Sequence, residues 1–290
     1  MQTDRIKKDN HKVFDMISRY LNDASDYIDE NEINEIADLG VSYEYAFGVI
    51  LAAAFDMDIV ENEEDKKLFN RYFSKMFHRL DVNEFYYNLY YRNIRIPVMK
   101  IGNCELKYEK YKPFEGFVCD DILADVAGVQ IPQIGFFETE FVYPAVLEDG
   151  RLWMSVTPNE IETMKEAVER AHGKVLAFGL GLGYFPYMVS EKSDVESVTI
   201  VEMNEEIIEL FKKHILPQFG NIDKVNVIKA DAFDYARNNL PEGNYDFVYT
   251  DLWHDVSDGA DMYLEMKKFE NHNPDTEFMY WIEKSIACYL

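Results

Sequence analysis

Three glycines, three well-spaced acids and a histidine are the residues most suited to chemistry in this sequence. Gly179, Gly181 and Gly183 lie in VLAFGLGLGYFPY, residues 175–187, between an apolar run and a helix-like one. Glycine there permits a tight turn. It also lets backbone N–H groups and a helix N-terminus approach a ligand closely. Glu202 ends a second β-rich run, 23 positions after Gly179. A carboxylate so placed can accept from both hydroxyls of a ribose. Asp231, followed by Ala232, stands after a third such run, and Asp251 ends a fourth. The cluster Asp251, Trp253, His254 and Asp255 offers groups that react. Asp251 or His254 can take a proton from an acceptor, and Trp253 can flank a cation.

The elements that must position these residues follow from pattern. Thr157-Pro158-Asn159-Glu160 fits a helix start, with Thr157 as N-cap, Pro158 first and Glu160 as capping-box partner. Strands are expected at 174–178, 197–201, 225–229 and 245–250, with helices between them. Asn204 caps the second of these helices, whose Ile207, Phe211 and Ile215 form one stripe. Alternating β and α at this spacing implies a parallel sheet covered by helices. Glycines and acids then all fall at the carboxyl ends of strands, where open α/β sheets bind ligands.

The fold expected is therefore α/β, with a Rossmann-like sheet in residues 157–290. Residues 96–156 form a β-rich region whose clearest part is a hairpin turning at Asp149-Gly150. Residues 1–95 read as helical. Leu68, Tyr72, Met76 and Leu80 repeat every four residues beside Phe69, Phe73 and Phe77. The aromatic stretch Phe85, Tyr86, Tyr87, Tyr90 and Tyr91 reads as packing. Only 39 residues follow Asp251, and they show no strand pattern; Phe278, Ile282 and Ile286 with Met279 read as a closing helix. The sheet is accordingly expected to be shortened at that end. Its unfinished edge would suit a partner strand from a second copy.

The glycine spacing is G-x-G-x-G. The dinucleotide pattern G-x-G-x-x-G/A fails at Tyr184 when started from Gly179 and at Pro186 when started from Gly181. With acids after strands two and three, the spacing resembles the Rossmann-like S-adenosylmethionine-dependent methyltransferases over about residues 155–255. Within that class it looks closest to the spermidine-synthase-like branch. VTIVEMNEEIIELFKKHILPQF (198–219) and VIKADAFDYA (227–236) resemble that branch's ribose-acid and adenine-acid segments, and LEDGRLWMS its β-rich lead-in.

The resemblance implies that Gly179, Gly181 and Gly183 line the methionine moiety of S-adenosyl-L-methionine. It implies that Glu202 holds the ribose, that Asp231 and the Ala232 backbone face the adenine, and that Asp251 stands where the reacting groups meet. Ser155 and Thr157 lie where related enzymes touch the amino-acid end. The sequence also departs from the pattern. Ala177 replaces the acid usual two residues before the first glycine in methyltransferases. The D-x-x-D used for aminopropyl transfer reads Asp251-Leu252-Trp253-His254, and no D/N-P-P-Y/F signature is present. The leading expectation is a methyltransferase with Asp251 and His254 at the reacting centre. An aminopropyltransferase of the spermidine-synthase type is the alternative, and a non-catalytic nucleoside-binding scaffold a third.

Composition narrows the partners. With 29 basic and 54 acidic residues the net charge is -25. Such a field repels phosphate backbones and anionic membranes, so neither nucleic acid nor membrane is expected, while a small cationic acceptor would be attracted. The longest apolar run, residues 45–55, is far short of the ~20 residues a membrane helix needs. The start lacks the apolar core of a signal peptide, and Cys104, Cys119 and Cys288 are too few and scattered for a disulfide framework. A reduced, cytoplasmic protein is the expectation. No metal site is expected. His11, His78, His172, His214 and His272 lack paired ligand spacing, and Asp251, Asp255, Asp258 and Asp261 read as an acid-rich loop.

Overall fold

The computed structural model describes residues 2–290, with the side chains of residues 2 and 3 left aside. The chain divides by contact into two compact units, each discontinuous in sequence: residues 1–84 with 110–142, and residues 85–109 with 143–290. Texture alone suggests contiguous boundaries at 95/96 and 156/157. A boundary in texture marks a change of local element, whereas a domain is defined by which elements share a core.

In the first unit, helices α1 (Gln2–Asp23), α2 (Glu30–Ala37), α3 (Tyr43–Ala54) and α4 (Glu63–Tyr72) accompany strand β1 (Phe77–Leu80). The boundary falls inside α5 (Val82–Tyr86); the second unit then holds α6 (Leu89–Asn93), β2 (Met99–Ile101) and most of β3 (Cys104–Tyr111). Strands β4 (Phe117–Ala124) and β5 (Gln130–Phe137) return to the first, where the sheet order is β1-β5-β4. Its core centres on Phe47, 5.0 Å from Phe77 and 4.6 Å from Phe136. The stripe expected as one helix through Leu80 breaks here. Helix α4 ends at Tyr72, a 3-10 turn covers Phe73–Lys75, and β1 pairs parallel with β5, Phe77 opposite Ile134. An i, i+4 run of aromatics suits a helix, but four sheet partners outweigh that local preference.

The hairpin β6 (Phe141–Glu148) and β7 (Arg151–Ser155) forms as expected. Asp149 and Gly150 have φ of 50° and 79°, the two positive values that a type I′ turn demands. These strands complete a sheet of order β2-β3-β6-β7.

The main sheet contains β8 (Gly173–Phe178), β9 (Val195–Glu202), β10 (Val225–Lys229), β11 (Phe247–Thr250) and β12 (Glu277–Tyr280). Their order is β10-β9-β8-β11-β12, all parallel. Helices α7 (Pro158–Arg170), α8 (Tyr184–Ser190), α9 (Glu205–Leu210), α10 (Ala232–Asn238), α11 (Leu240–Gly243), α12 (Val256–Lys267) and α13 (Glu283–Ala287) connect or flank them. This is the Rossmann-like α/β order. The chain starts in the middle at β8, runs outward through β9 and β10, then crosses back to β11 and β12. Ligand-binding loops are expected where that direction reverses.

The C-terminal end corrects two expectations. A fifth parallel strand exists: β12 pairs with β11, Val248 opposite Phe278 and Thr250 opposite Tyr280. The closing helix is only Glu283–Ala287. Four residues at a sheet edge carry too little alternation to be told from a helical turn. Among the described residues, no helix is long and apolar enough to cross a membrane.

Candidate functional site

The glycine turn leaves β8 and enters α8. Its three glycines have φ of 95°, 53° and 79°, a region that side-chain-bearing residues occupy only under strain. Each glycine is needed for a different reason. A Cβ on Gly179 would lie 1.9 Å from the Asp251 carbonyl oxygen, and one on Gly183 would lie 2.5 Å from the Phe211 ring. At Gly181 nothing lies within 4 Å. There the backbone faces open space. The turn is tied down by Gly179 N–H donating to Val201 O at 3.0 Å and Gly183 N–H donating to Leu180 O at 3.0 Å.

Glu202, at the end of β9, reaches this turn. One carboxylate oxygen accepts from Leu180 N–H at 3.3 Å, and the other accepts from Asn204 N–H at 2.7 Å. Asp251 follows β11, the strand beside β8, and its N–H donates to Phe178 O at 2.9 Å. Burial pushes the Asp251 carboxyl up to about 7, the Glu202 carboxylate adds to the rise, and His254 opposes it. Asp251 keeps some accessible surface but is ringed by protein atoms.

A third acid joins them. The sequence shows Glu160 only as a capping partner of Thr157, and that box is half made. Glu160 accepts from the Thr157 N–H, but the Thr157 hydroxyl makes no capping bond in return. The Glu160 carboxyl also meets Ser155, with Oγ 3.4 Å from Oε1. Burial holds it well above the ordinary glutamate value, and Asp251 raises it further against the hydrogen bonds from Ser155 and Thr157. Asp251 is thus coupled to Glu202 on one side and to Glu160 on the other, and the repulsion among them keeps protons on Glu160 and, below about 7, on Asp251. Nothing in the sequence pattern ties Glu160 to Asp251; the acid at the third position of a capped helix is its only signal.

Asp231 stands exposed at the mouth of β10 as N-cap of α10, one oxygen accepting from Asp234 N–H at 2.9 Å, and Ala232 beside it is buried. The loop after Asp251 is locally ordered. Trp253 is not a cation shelf: it is buried, and a Cβ on Gly259 would sit 2.8 Å from its Cγ. That contact explains a glycine inside α12. His254 is exposed. Its Nδ1 lies 2.8 Å from Asp258 Oδ2, its N–H donates to Asp258 Oδ1 at 3.1 Å, and its ring meets Trp153 edge-on at 4.4 Å between centroids. Burial acts to raise the Asp258 carboxyl, but hydrogen bonds from His254 and the Asp255 N–H hold it below the ordinary value. Asp258 and Asp255 also form a reciprocal capping box for α12. Sequence reasoning missed the Asp258 and Trp153 contacts with His254.

The aromatic stretch supports the turn from behind. Tyr90 is buried, donates to Leu182 O at 2.6 Å and meets Tyr184 edge-on at 5.6 Å. Asn88 Nδ2 donates to Tyr184 Oη at 3.0 Å, and Asn93 Nδ2 donates to Tyr187 Oη at 2.7 Å. Phe85 and Tyr90 are buried and serve packing, as the spacing indicates, whereas Tyr86 and Tyr87 are exposed.

Residues 161–272 match the family described as the spermine/spermidine synthase domain. None of the curated proteins matches the chain. A crystal structure of spermidine synthase from Thermotoga maritima is similar at 18% identity, covering 48% of this chain with a TM-score of 0.33. The chain spans about half the length of that protein, 49%. The family match corrects the leading functional expectation. The matched segment carries the glycine turn, Glu202, Asp231, Asp251 and His254, and its family is that of the aminopropyltransferase alternative, not a methyltransferase.

Proposed function

We propose that this protein is an aminopropyltransferase of the spermidine-synthase type. It would move an aminopropyl group from a decarboxylated S-adenosylmethionine to an amine. The observation that carries this reading is the meeting of Glu160, Glu202 and Asp251 beside the glycine turn. Glu202 and Asp251 lie inside the segment matched to that domain, and Glu160 immediately precedes it. Both reactants are cations, a sulfonium with an ammonium tail and a protonated amine. The Glu202 carboxylate and Asp251 when ionised favour them and disfavour the extra carboxylate of intact S-adenosylmethionine.

The residues divide the task. Gly181 lets the donor's thioether arm lie against open backbone. Glu202 has lone pairs left for the ribose hydroxyls beyond those used by Leu180 and Asn204. Asp231 keeps an oxygen for the adenine amino group, and the Ala232 N–H lies beside it. Asp251 holds the acceptor's ammonium near the sulfonium. The donor's positive sulfur is a good leaving group, so alignment of nitrogen, carbon and sulfur is the main requirement.

The test is incubation with decarboxylated S-adenosylmethionine and a panel of amines: putrescine, spermidine and monoamines. Methylthioadenosine and an aminopropylated amine should appear in equal amounts, read by mass spectrometry. Methylated product from intact S-adenosylmethionine, or bound donor with no transfer to any amine, would refute the reading.

A further inference from the structure

Resting on the transferase reading above, we infer that His254, aligned by Asp258 and braced by Trp153, takes the proton from the acceptor amine while Asp251 holds that amine in place. Several independent contacts aim this imidazole. Asp258 Oδ2 lies 2.8 Å from Nδ1, and the same carboxylate's other oxygen accepts the His254 N–H at 3.1 Å. Asp258 is itself fixed, because it completes the capping box of α12 with Asp255. Trp153 comes from a different element, β7, and meets the ring edge-on at 4.4 Å.

An anionic partner at Nδ1 selects the tautomer with its proton there. Nε2 is then a proton acceptor, and among the described residues it has no protein partner. The titratable groups facing the ring are Asp258 on α12 and Asp251 at the end of β11. Trp153, from the hairpin, does not titrate.

The step balances. A protonated amine cannot attack, so its nitrogen first gives one proton to Nε2, making an imidazolium that Asp258 stabilises. The freed lone pair forms the new N–C bond as the C–S bond breaks, its electron pair returning to sulfur. The products are a secondary ammonium and a neutral thioether. The proton on Nε2 then leaves to water, to which this side chain is open at 46% exposure. Glu160 and Glu202 are placed less well for this task, since one is hydrogen-bonded by Ser155 and the other bound to the glycine turn.

The experiment compares wild type, His254→Gln and Asp258→Asn with decarboxylated S-adenosylmethionine and the best amine of the panel. Methylthioadenosine affinity is measured alongside by calorimetry. His254→Gln should lower kcat about 100-fold or more, the usual size of a lost general base, with methylthioadenosine affinity unchanged. Asp258→Asn should lower kcat less. Losing the carboxylate disfavours imidazolium, so the rising limb of kcat against pH should move to lower pH. A merely structural Asp258 would leave that limb where it is. His254→Gln with wild-type kcat would overturn this inference alone. No transfer by the wild type to any amine would overturn the transferase reading and this inference together.

Discussion

Replacing Glu202 with alanine is expected to weaken methylthioadenosine binding by about 100- to 1000-fold. Glu202 sits where β9 ends, with one oxygen on Leu180 N–H and the other on Asn204 N–H. In the proposed complex it also accepts from two ribose hydroxyls. Hydrogen bonds to a charged acceptor are each worth about 1.5–3 kcal/mol, so losing two costs about 3–4 kcal/mol at the cautious end, and each 1.4 kcal/mol is tenfold. The alanine also unties Leu180, and the turn it anchors would loosen. A second consequence is independent of ligand. Glu202 adds to the rise of the Asp251 carboxyl, so Asp251 should titrate at lower pH in the variant. Calorimetry with methylthioadenosine, with a thermal midpoint as the folding control, makes the check. Affinity within threefold of wild type in a folded variant would refute the ribose assignment.

Asp251→Asn should reduce kcat/KM for the amine about 100-fold or more, because the side chain keeps its shape and loses the charge that holds an ammonium beside the sulfonium. In the wild type that charge exists only once Asp251 ionises, at about 7. The kcat/KM for the amine should therefore rise as pH passes through neutrality, and the variant should lose the part of this rise that Asp251 contributes while keeping the part that belongs to the base. Stability should move the opposite way. An acid whose folded value is raised keeps its proton longer in the folded state than in the unfolded one. The folded state then binds more protons between about 4 and about 7, and stability falls as pH rises through that window. Asparagine removes that loss. The ligand-free variant should melt higher than wild type at pH 8, with the difference shrinking as pH falls and closing below about 4. A lower midpoint at pH 8 would show that Asp251 is not destabilising when ionised, and the account of its environment would fail.

Much of this site is legible in the sequence, because its determinants are local. A buried strand, three glycines and a helix in one short stretch leave few alternatives, and Glu202, Asp231 and Asp251 fall where strands end. What stays hidden depends on distant partners. Phe77–Leu80 is a strand because β5 lies beside it, although its spacing continues a helical stripe. Glu277–Tyr280 is a strand because β11 has a free edge to offer. Glu160 shows a capping role in sequence, while its proximity to Asp251 arises only when α7 packs near the end of β11. The pair of Asp258 and His254 has helical i, i+4 spacing, but the indole that meets His254 comes from a hairpin strand far back in the chain. Gly259 marks the same limit: a glycine in a helix looks like a weakness until Trp253 is seen against it.

The most direct test of the central claim is the affinity of the protein for decarboxylated S-adenosylmethionine against intact S-adenosylmethionine, measured by titration calorimetry at one pH and salt concentration. The two ligands differ by a single carboxylate. A site bordered by Glu160, Glu202 and Asp251 should bind the decarboxylated form at least about tenfold more tightly, a difference of about 1.4 kcal/mol. Equal affinities, or a preference for the intact molecule, would contradict the account.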